Sequence, residues 1–267
     1  MIQEPLPRVC AVNYLNTTPL VWGMLHGPQQ GVFDLSFAIP AECADRLARR
    51  EADIGIVPVI EMARQHMQRI PGVGIACHGA VRSILLASKV PLREIRVLAA
   101  DSSSRTSVNL ARIILSKKYG AAPRVISHLP DLPTMLGVAD AALVIGDPAL
   151  RLDPAKLPFE VLDLGAEWLQ LTGLPMVFAA WAARKDFDMT RIHPEAFVES
   201  YRFGREHLDD LVRTEHEQRG VTTELAREYL TRYIAFELGE KELAGMERFL
   251  EYAAELPAAA ELEKVPV

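Results

Sequence analysis

Apolar positions along this chain follow two periods. Short apolar or alternating runs read as strands: Val9-Cys10-Ala11-Val12, Leu35 to Ile39, Asp53 to Val57, Ile84 to Ala87, Ile95 to Ala99, Ala141 to Ile145 and Met176 to Ala183. Between them apolar residues recur at helical spacing. Glu42 to Arg50 carries Ala44, Leu47 and Ala48 on one face. Ser107 to Lys118 carries Val108, Ala111 and Leu115 on one face with Leu110 and Ile114 beside it, and Gly120 stops it. Asp153 to Pro158 reads as a loop. This alternation through the first 185 residues predicts an α/β body with largely parallel sheets. From Pro194 onward the pattern is helical: Pro194 to Arg219, Thr222 to Phe236 and Glu240 to Glu255, with Thr222 as a cap and Gly239 as a separator. The tail Ala258 to Val267 is expected to fray.

Length and charge narrow the picture. A chain of 267 residues exceeds what one hydrophobic core serves, so two lobes are expected. The net charge of −6, with no basic tract, argues against nucleic acid and against an acidic membrane surface as partners. An anionic ligand must therefore be held by local donors. No apolar run approaches the ~20 residues that span a bilayer. Met1 to Arg8 lacks the basic and apolar regions of a secretion signal, and the three cysteines (Cys10, Cys43, Cys77) show no metal-ligand spacing. The expectation is a cytoplasmic protein with reduced thiols.

Two loops carry candidate chemistry. Asn13-Tyr14-Leu15-Asn16-Thr17-Thr18-Pro19 runs from the first strand into a helix, so neutral side chains meet the free N–H groups and positive dipole end of that helix. Asn16 can donate to a carboxylate and accept from a hydroxyl at once. The alternative is an Asx turn or cap with no ligand. Thr17 and Thr18 share the loop. Ser102-Ser103-Ser104-Arg105-Thr106-Ser107 precedes the clearest early helix in the same manner. Thr106 and Ser107 either cap that helix or face an anion, and Arg105 either clamps a carboxylate or pairs on the surface. Ser83 opens a strand, beside Arg82. Asp147 follows a strand, where open α/β sheets place ligands, or else caps the helix beginning at Pro148. Glu61 reads as an orienting residue or part of a helix face. No histidine cluster, phosphate-cradling glycine run or nucleophile elbow is present, which points to no metal and no organic cofactor.

The ordered series of these segments, with Asp53-Ile54-Gly55-Ile56-Val57-Pro58, Val81-Arg82-Ser83-Ile84, Asp163-Leu164-Gly165 with Trp168, and Thr172-Gly173-Leu174-Pro175, resembles the chorismate dehydratases of the futalosine route to menaquinone. The resemblance covers Val9 to Trp181; beyond it the match is only in helical character. It implies a two-lobed fold like a type II periplasmic binding protein, with a central cleft and C-terminal helices. Lobe one would comprise residues 1–91 and 176–267, and lobe two residues 92–175. It implies chorismate as the substrate and 3-[(1-carboxyvinyl)oxy]benzoate plus water as products. Asn16 and Ser83 would be the catalytic residues on one lobe, with Thr17, Thr18, Ser104, Arg105, Thr106, Ser107 and Asp147 as substrate-binding residues. In the absence of a His, Lys or Cys in the strongest motifs, the substrate's own enolpyruvyl carboxylate would act as base, with Asp147 or Glu61 as the rival. Other readings are a solute-binding protein of the same fold and the related 1,4-dihydroxy-6-naphthoate synthase. Oligomeric state is left open, a homodimer included.

Overall fold

A computed structural model describes residues 5–101, 103–257 and 263–264. The expectations for Ser102 and for most of the tail Ala258 to Val267 lie outside the described residues. The strands in chain order are β1 (Arg8–Val12), β2 (Asp34–Ala38), β3 (Ile54–Pro58), β4 (Gln68–Cys77), β5 (Ile84–Ser88), β6 (Val97–Asp101), β7 (Arg124–His128), β8 (Ala141–Ile145), β9 (Glu160–Asp163), β10 (Met176–Ala183), β11 (Ala235–Glu237) and β12 (Glu263–Lys264). The helices are α1 (Thr18–His26), α2 (Pro40–Ala48), α3 (Val59–Arg64), α4 (Arg105–Tyr119), α5 (Leu132–Val138), α6 (Gly146–Leu150), α7 (Leu164–Thr172), α8 (Glu195–Glu206), α9 (Leu208–Glu215), α10 (Thr223–Glu228) and α11 (Glu240–Glu255).

The chain forms two compact units, Met1–Ala76 with Val177–Gly239, and Cys77–Met176 with Glu240–Val267. The expected boundaries need two corrections. Residues 77–91 belong to the second unit, because β5 pairs antiparallel with both β8 and β9. Residues 240–267 belong there too, because α11 packs on α4 and Phe249 and Tyr252 meet Trp168 edge-on. Gly245 seats α11 against the chain: a Cβ there would lie 2.0 Å from the Pro175 carbonyl oxygen.

In the first unit the sheet order is β11-β4-β10-β3-β1-β2. β1 runs parallel to β2 and β3, and β10 runs antiparallel to β3. The sheets are thus mixed, not largely parallel. Asp53 ties three strand ends together. Its carboxylate accepts from the Arg8 backbone N–H at 3.0 Å, from Arg8 Nη2 at 2.9 Å and from Arg184 Nη2 at 3.3 Å. Burial alone would raise its pKa, but these donors overcome that and hold it to about 2. α1 crosses α8 closely: a Cβ on Gly204 would sit 2.3 Å from the Pro19 carbonyl oxygen, and Ser200 Oγ donates to the Leu20 carbonyl at 2.9 Å. That contact anchors the helix into which the Asn16 loop leads. Cys10 on β1 and Cys43 on α2 are buried and free, with their sulfurs 3.2 Å apart.

In the second unit the sheet order is β12-β7-β6-β8-β5-β9. Asp163 is its organising residue. It accepts the backbone N–H groups of Val81 at 2.9 Å and Arg82 at 2.7 Å, and also caps α7 through Gly165 and Ala166. Replacing Asp163 with Ala strips all four donors of their acceptor. The expected cost is about 3 kcal/mol, read as a lower denaturation midpoint at unchanged slope; a midpoint equal to that of the parent would contradict this role.

Candidate functional site

In the first unit, β1 delivers the chain into Asn13–Thr18 at the C-terminal end of the parallel strands β1 and β3. One 3-10 turn, Leu15–Thr17, leads into α1, and Pro19 sits in its first turn, where a missing N–H is harmless. The loop is not a simple capped turn. Thr17 stands at the N-cap position without capping, and its Oγ1 is buried and without a partner. Asn16 Nδ2 donates to the Tyr229 hydroxyl at 3.0 Å, whereas Asn16 Oδ1 is buried and accepts from no group among the described residues. Leaving one such buried acceptor unmet costs roughly 1–3 kcal/mol, and sites that bind ligands tolerate that cost. Arg219 Nη1 holds the start of the same loop, donating to Asn13 O and to Asn13 Oδ1 at 3.0 Å each, while Glu215 holds Arg219 at 2.7 Å. Thr18 is buried in the first turn of α1. Glu61, also buried, lies in the first turn of α3 at the same end of the sheet and accepts from Arg64 at 3.0 Å and Gln65 at 3.1 Å.

In the second unit, Ser83, Ser103–Ser107 and Asp147 gather at one end of the sheet. β6 and β8 run parallel and finish there, and antiparallel β5 starts there. The Ser83 carbonyl accepts the Gly146 N–H at 2.8 Å, across a Gly146 φ of +61° that favours glycine. Arg82, at a φ of +65°, turns away to cap the C-terminus of α6, donating to Ala149 O at 3.2 Å and Leu152 O at 2.5 Å. It therefore supports the helix that bears Asp147. Asp147 is buried in the first turn of α6, and Ile145 holds the N-cap position, so the expected alternative of an Asp147 cap is corrected. At α4 the cap is Ser104, whose hydroxyl accepts the Ser107 N–H at 3.2 Å. Thr106 and Ser107 are relieved of capping and lie buried in the first turn, and Thr106 Oγ1 has no partner among the described residues. Arg105 is the first residue of α4, and its carbonyl accepts from Asn109. The structure thus groups Asn16, Thr17 and Thr18 on one unit, and Ser83, Ser104, Arg105, Thr106, Ser107 and Asp147 on the other. Ser83 does not share a unit with Asn16; its strand pairing decides that.

Among the described residues no group of three or more His, Cys, Asp or Glu is placed to hold a metal ion, and no helix is long and apolar enough to cross a membrane. A family model described as menaquinone biosynthesis matches residues 7–255. The chain belongs to the menaquinone-biosynthesis family. It is similar to a chorismate dehydratase of Thermus thermophilus, with 30% identity over 271 residues and 95% of each chain covered. A chorismate dehydratase of Campylobacter jejuni is 24% identical over 253 residues, covering 90% of this chain and 94% of that one. A Candida albicans protein described as having the generic periplasmic binding protein fold superposes with a TM-score of 0.69 at 13% identity, covering 97% of this chain and 93% of that one. That likeness concerns the fold, and it agrees with the fold that the resemblance implied.

Three residues of this family member escape a reading of the sequence. Tyr229 and Arg219 lie 213 and 206 residues from their loop partners, in a stretch whose periodicity says only helix. Asp101 ends β6, with Oδ1 accepting the Ser103 N–H at 2.9 Å and Oδ2 buried without a partner among the described residues. Burial pushes its carboxyl up, against the lowering effect of Ser103 and of the Ile145 N–H. Only its place at a strand end, directly before the serine loop, could have drawn attention to it.

Proposed function

We infer that this chain is a chorismate dehydratase, a hydro-lyase that converts chorismate to 3-[(1-carboxyvinyl)oxy]benzoate and water in menaquinone biosynthesis. The observation that carries the reading is the alignment, along 95% of both chains, with the Thermus thermophilus protein of that name. The finer assignments are the futalosine branch and a cytoplasmic setting.

The chemistry accounts for the residue types. Breaking the bond between C3 and its hydrogen leaves an electron pair that delocalises toward the ring carboxylate. Breaking the C4–O bond then completes the aromatic ring, and the hydroxyl leaves as water with the proton. Charge grows on oxygen in the transition state, and fixed neutral donors stabilise such charge without reorganising. The buried hydroxyl of Thr106, unpartnered among the described residues, and the first-turn N–H groups of α4 suit that task, as does the Thr17 hydroxyl at the start of α1. The proton goes to the enolpyruvyl carboxylate of the substrate itself, so the protein supplies conformation and water exclusion.

Engagement of Glu61 by Arg64 and Gln65 supports this choice of base, since a carboxylate committed to two donors is poorly placed to take a proton. Glu61→Gln and Asp147→Asn are therefore expected to lower turnover of chorismate by less than about tenfold, whereas loss of a general base costs about 10²–10⁴-fold. Steady-state assays of both variants, with folding checked by thermal melt, test the reading. A folded variant of either residue with activity down by a thousandfold would replace the substrate's carboxylate with an enzymic base.

A further inference from the structure

We propose that Tyr229 is a positioning residue that sets which atom of the Asn16 amide faces the ligand, presenting the oxygen to a hydroxyl donor. Tyr229 opens an irregular turn. α10 ends at Glu228, and Tyr229–Tyr233 forms a single π turn, closed by the Ile234 N–H donating to the Tyr229 carbonyl at 3.2 Å. An ordinary α-helical continuation has no such five-residue step, and π turns of this kind recur at functional sites. The turn is held on both sides. Thr222 caps α10 through the Leu225 N–H, and β11 pairs with β4 immediately after. Tyr229 is itself 1% exposed. Its hydroxyl is therefore a fixed point, not a mobile surface group.

An asparagine amide has two faces of opposite character, an N–H pair that donates and an oxygen that accepts. The Tyr229 hydroxyl takes one Nδ2 hydrogen at 3.0 Å. That contact orients the amide and leaves Oδ1 buried with no donor among the described residues. An acceptor kept dry and unmet is a recognition element for a donor on a ligand. Resting on the chorismate reading, the donor follows from the substrate's own inventory. Both carboxylates of chorismate are ionised at neutral pH and only accept, so the ring hydroxyl is the group that donates. Asn16 Oδ1 then receives the hydrogen of the hydroxyl that departs. With its hydrogen engaged, that oxygen keeps its lone pairs for the proton removed from C3. The bond to C4 breaks as that proton arrives, and one water leaves.

The experiment has two arms. The first needs no substrate. The side-chain amide signal of Asn16 in ¹⁵N-labelled protein is assigned by its absence from Asn16→Asp. In Tyr229→Phe, which keeps the ring and removes the hydroxyl, this signal is expected to shift and its hydrogen exchange to rise about tenfold. An unmoved signal with unchanged exchange would overturn the proposal. The second arm is a double-mutant cycle on chorismate turnover. Tyr229→Phe is expected to lower kcat about tenfold at a KM within about threefold, and to cause no further loss in an Asn16→Ala background. Equal losses in both backgrounds, as a general packing defect would give, or no loss in either, would overturn it. Should the parent protein not turn over chorismate at all, the functional reading falls, and the amide signal still decides whether Tyr229 positions Asn16.

Discussion

Asn16→Ala and Ser83→Ala proteins are expected to fold normally and to lose at least about 100-fold in kcat on chorismate, the scale of removing one preorganised polar group from the reacting centre. Neither change should unfold its unit. Asn16 gives its side chain one hydrogen bond to the protein, from Nδ2 to Tyr229, and Ala keeps the backbone that makes the 3-10 turn. At Ser83 the contact that orders the turn is its backbone carbonyl, which accepts the Gly146 N–H and survives in Ala. The loss should therefore appear in kcat while the melting temperature stays within a few degrees. A folded Asn16→Ala protein with a third of the parent activity would remove Asn16 from the reaction.

A loss of stability as large as that at Asp163 is expected at Asp53. Asp53→Ala removes the shared acceptor of Arg8 and Arg184 and leaves two guanidinium groups without it. Breaking a buried pair costs about 3–5 kcal/mol, and because the Arg8 side chain is 42% exposed the loss should fall near the lower figure. The sign with pH is fixed by the same geometry. The folded carboxyl is held to about 2, below the usual value near 4. Its contribution is thus complete above about pH 4 and is lost as pH falls toward 2. Urea midpoints of the parent and of Asp53→Asn, measured between pH 7 and pH 3, should converge at the acid end. A gap that widens on acidification would show that Asp53 does not carry this charge.

The sequence made legible those features whose causes are local. β8 and β10 fall where continuous apolar runs place them, and Gly120 ends α4 in the left-handed conformation that its position suggested. What escaped has non-local causes. β4 begins with Gln68 and Arg69 and contains Pro71, Gly72 and Gly74, a composition that reads as loop. It is a strand because it lies between β11 and β10, and a Cβ on Gly74 would lie 2.7 Å from the Ala179 carbonyl oxygen. The short strands β7 and β9 open on Arg124 and Glu160 and show little alternation. The expected helix from Thr222 to Phe236 stops at Glu228, turns once as a π helix and continues as β11. The expected helix from Pro194 to Arg219 breaks at His207, between α8 and α9.

The candidate site follows the same division. The Asn16 loop and the Ser104–Ser107 loop stand out because a strand end, short polar residues and a helix start adjoin in the chain. Ser104, not Thr106 or Ser107, caps α4, a distinction of one turn that residue types cannot make. The unit to which Ser83 belongs depends on the pairing of β5 with β8 and β9, and periodicity does not reveal pairing partners. The contribution of Tyr229 required the fold itself, since nothing near it in the chain announces a partner 213 residues away.

The central claim is that this protein removes water from chorismate unaided by any other protein. The purified chain is incubated with chorismate, and the products are separated and weighed by mass spectrometry. A single aromatic product lighter than chorismate by one water is expected, absent when the protein is omitted and greatly reduced with Asn16→Ala. Chorismate recovered unchanged from a folded, concentrated sample, or bound tightly without conversion, would contradict it.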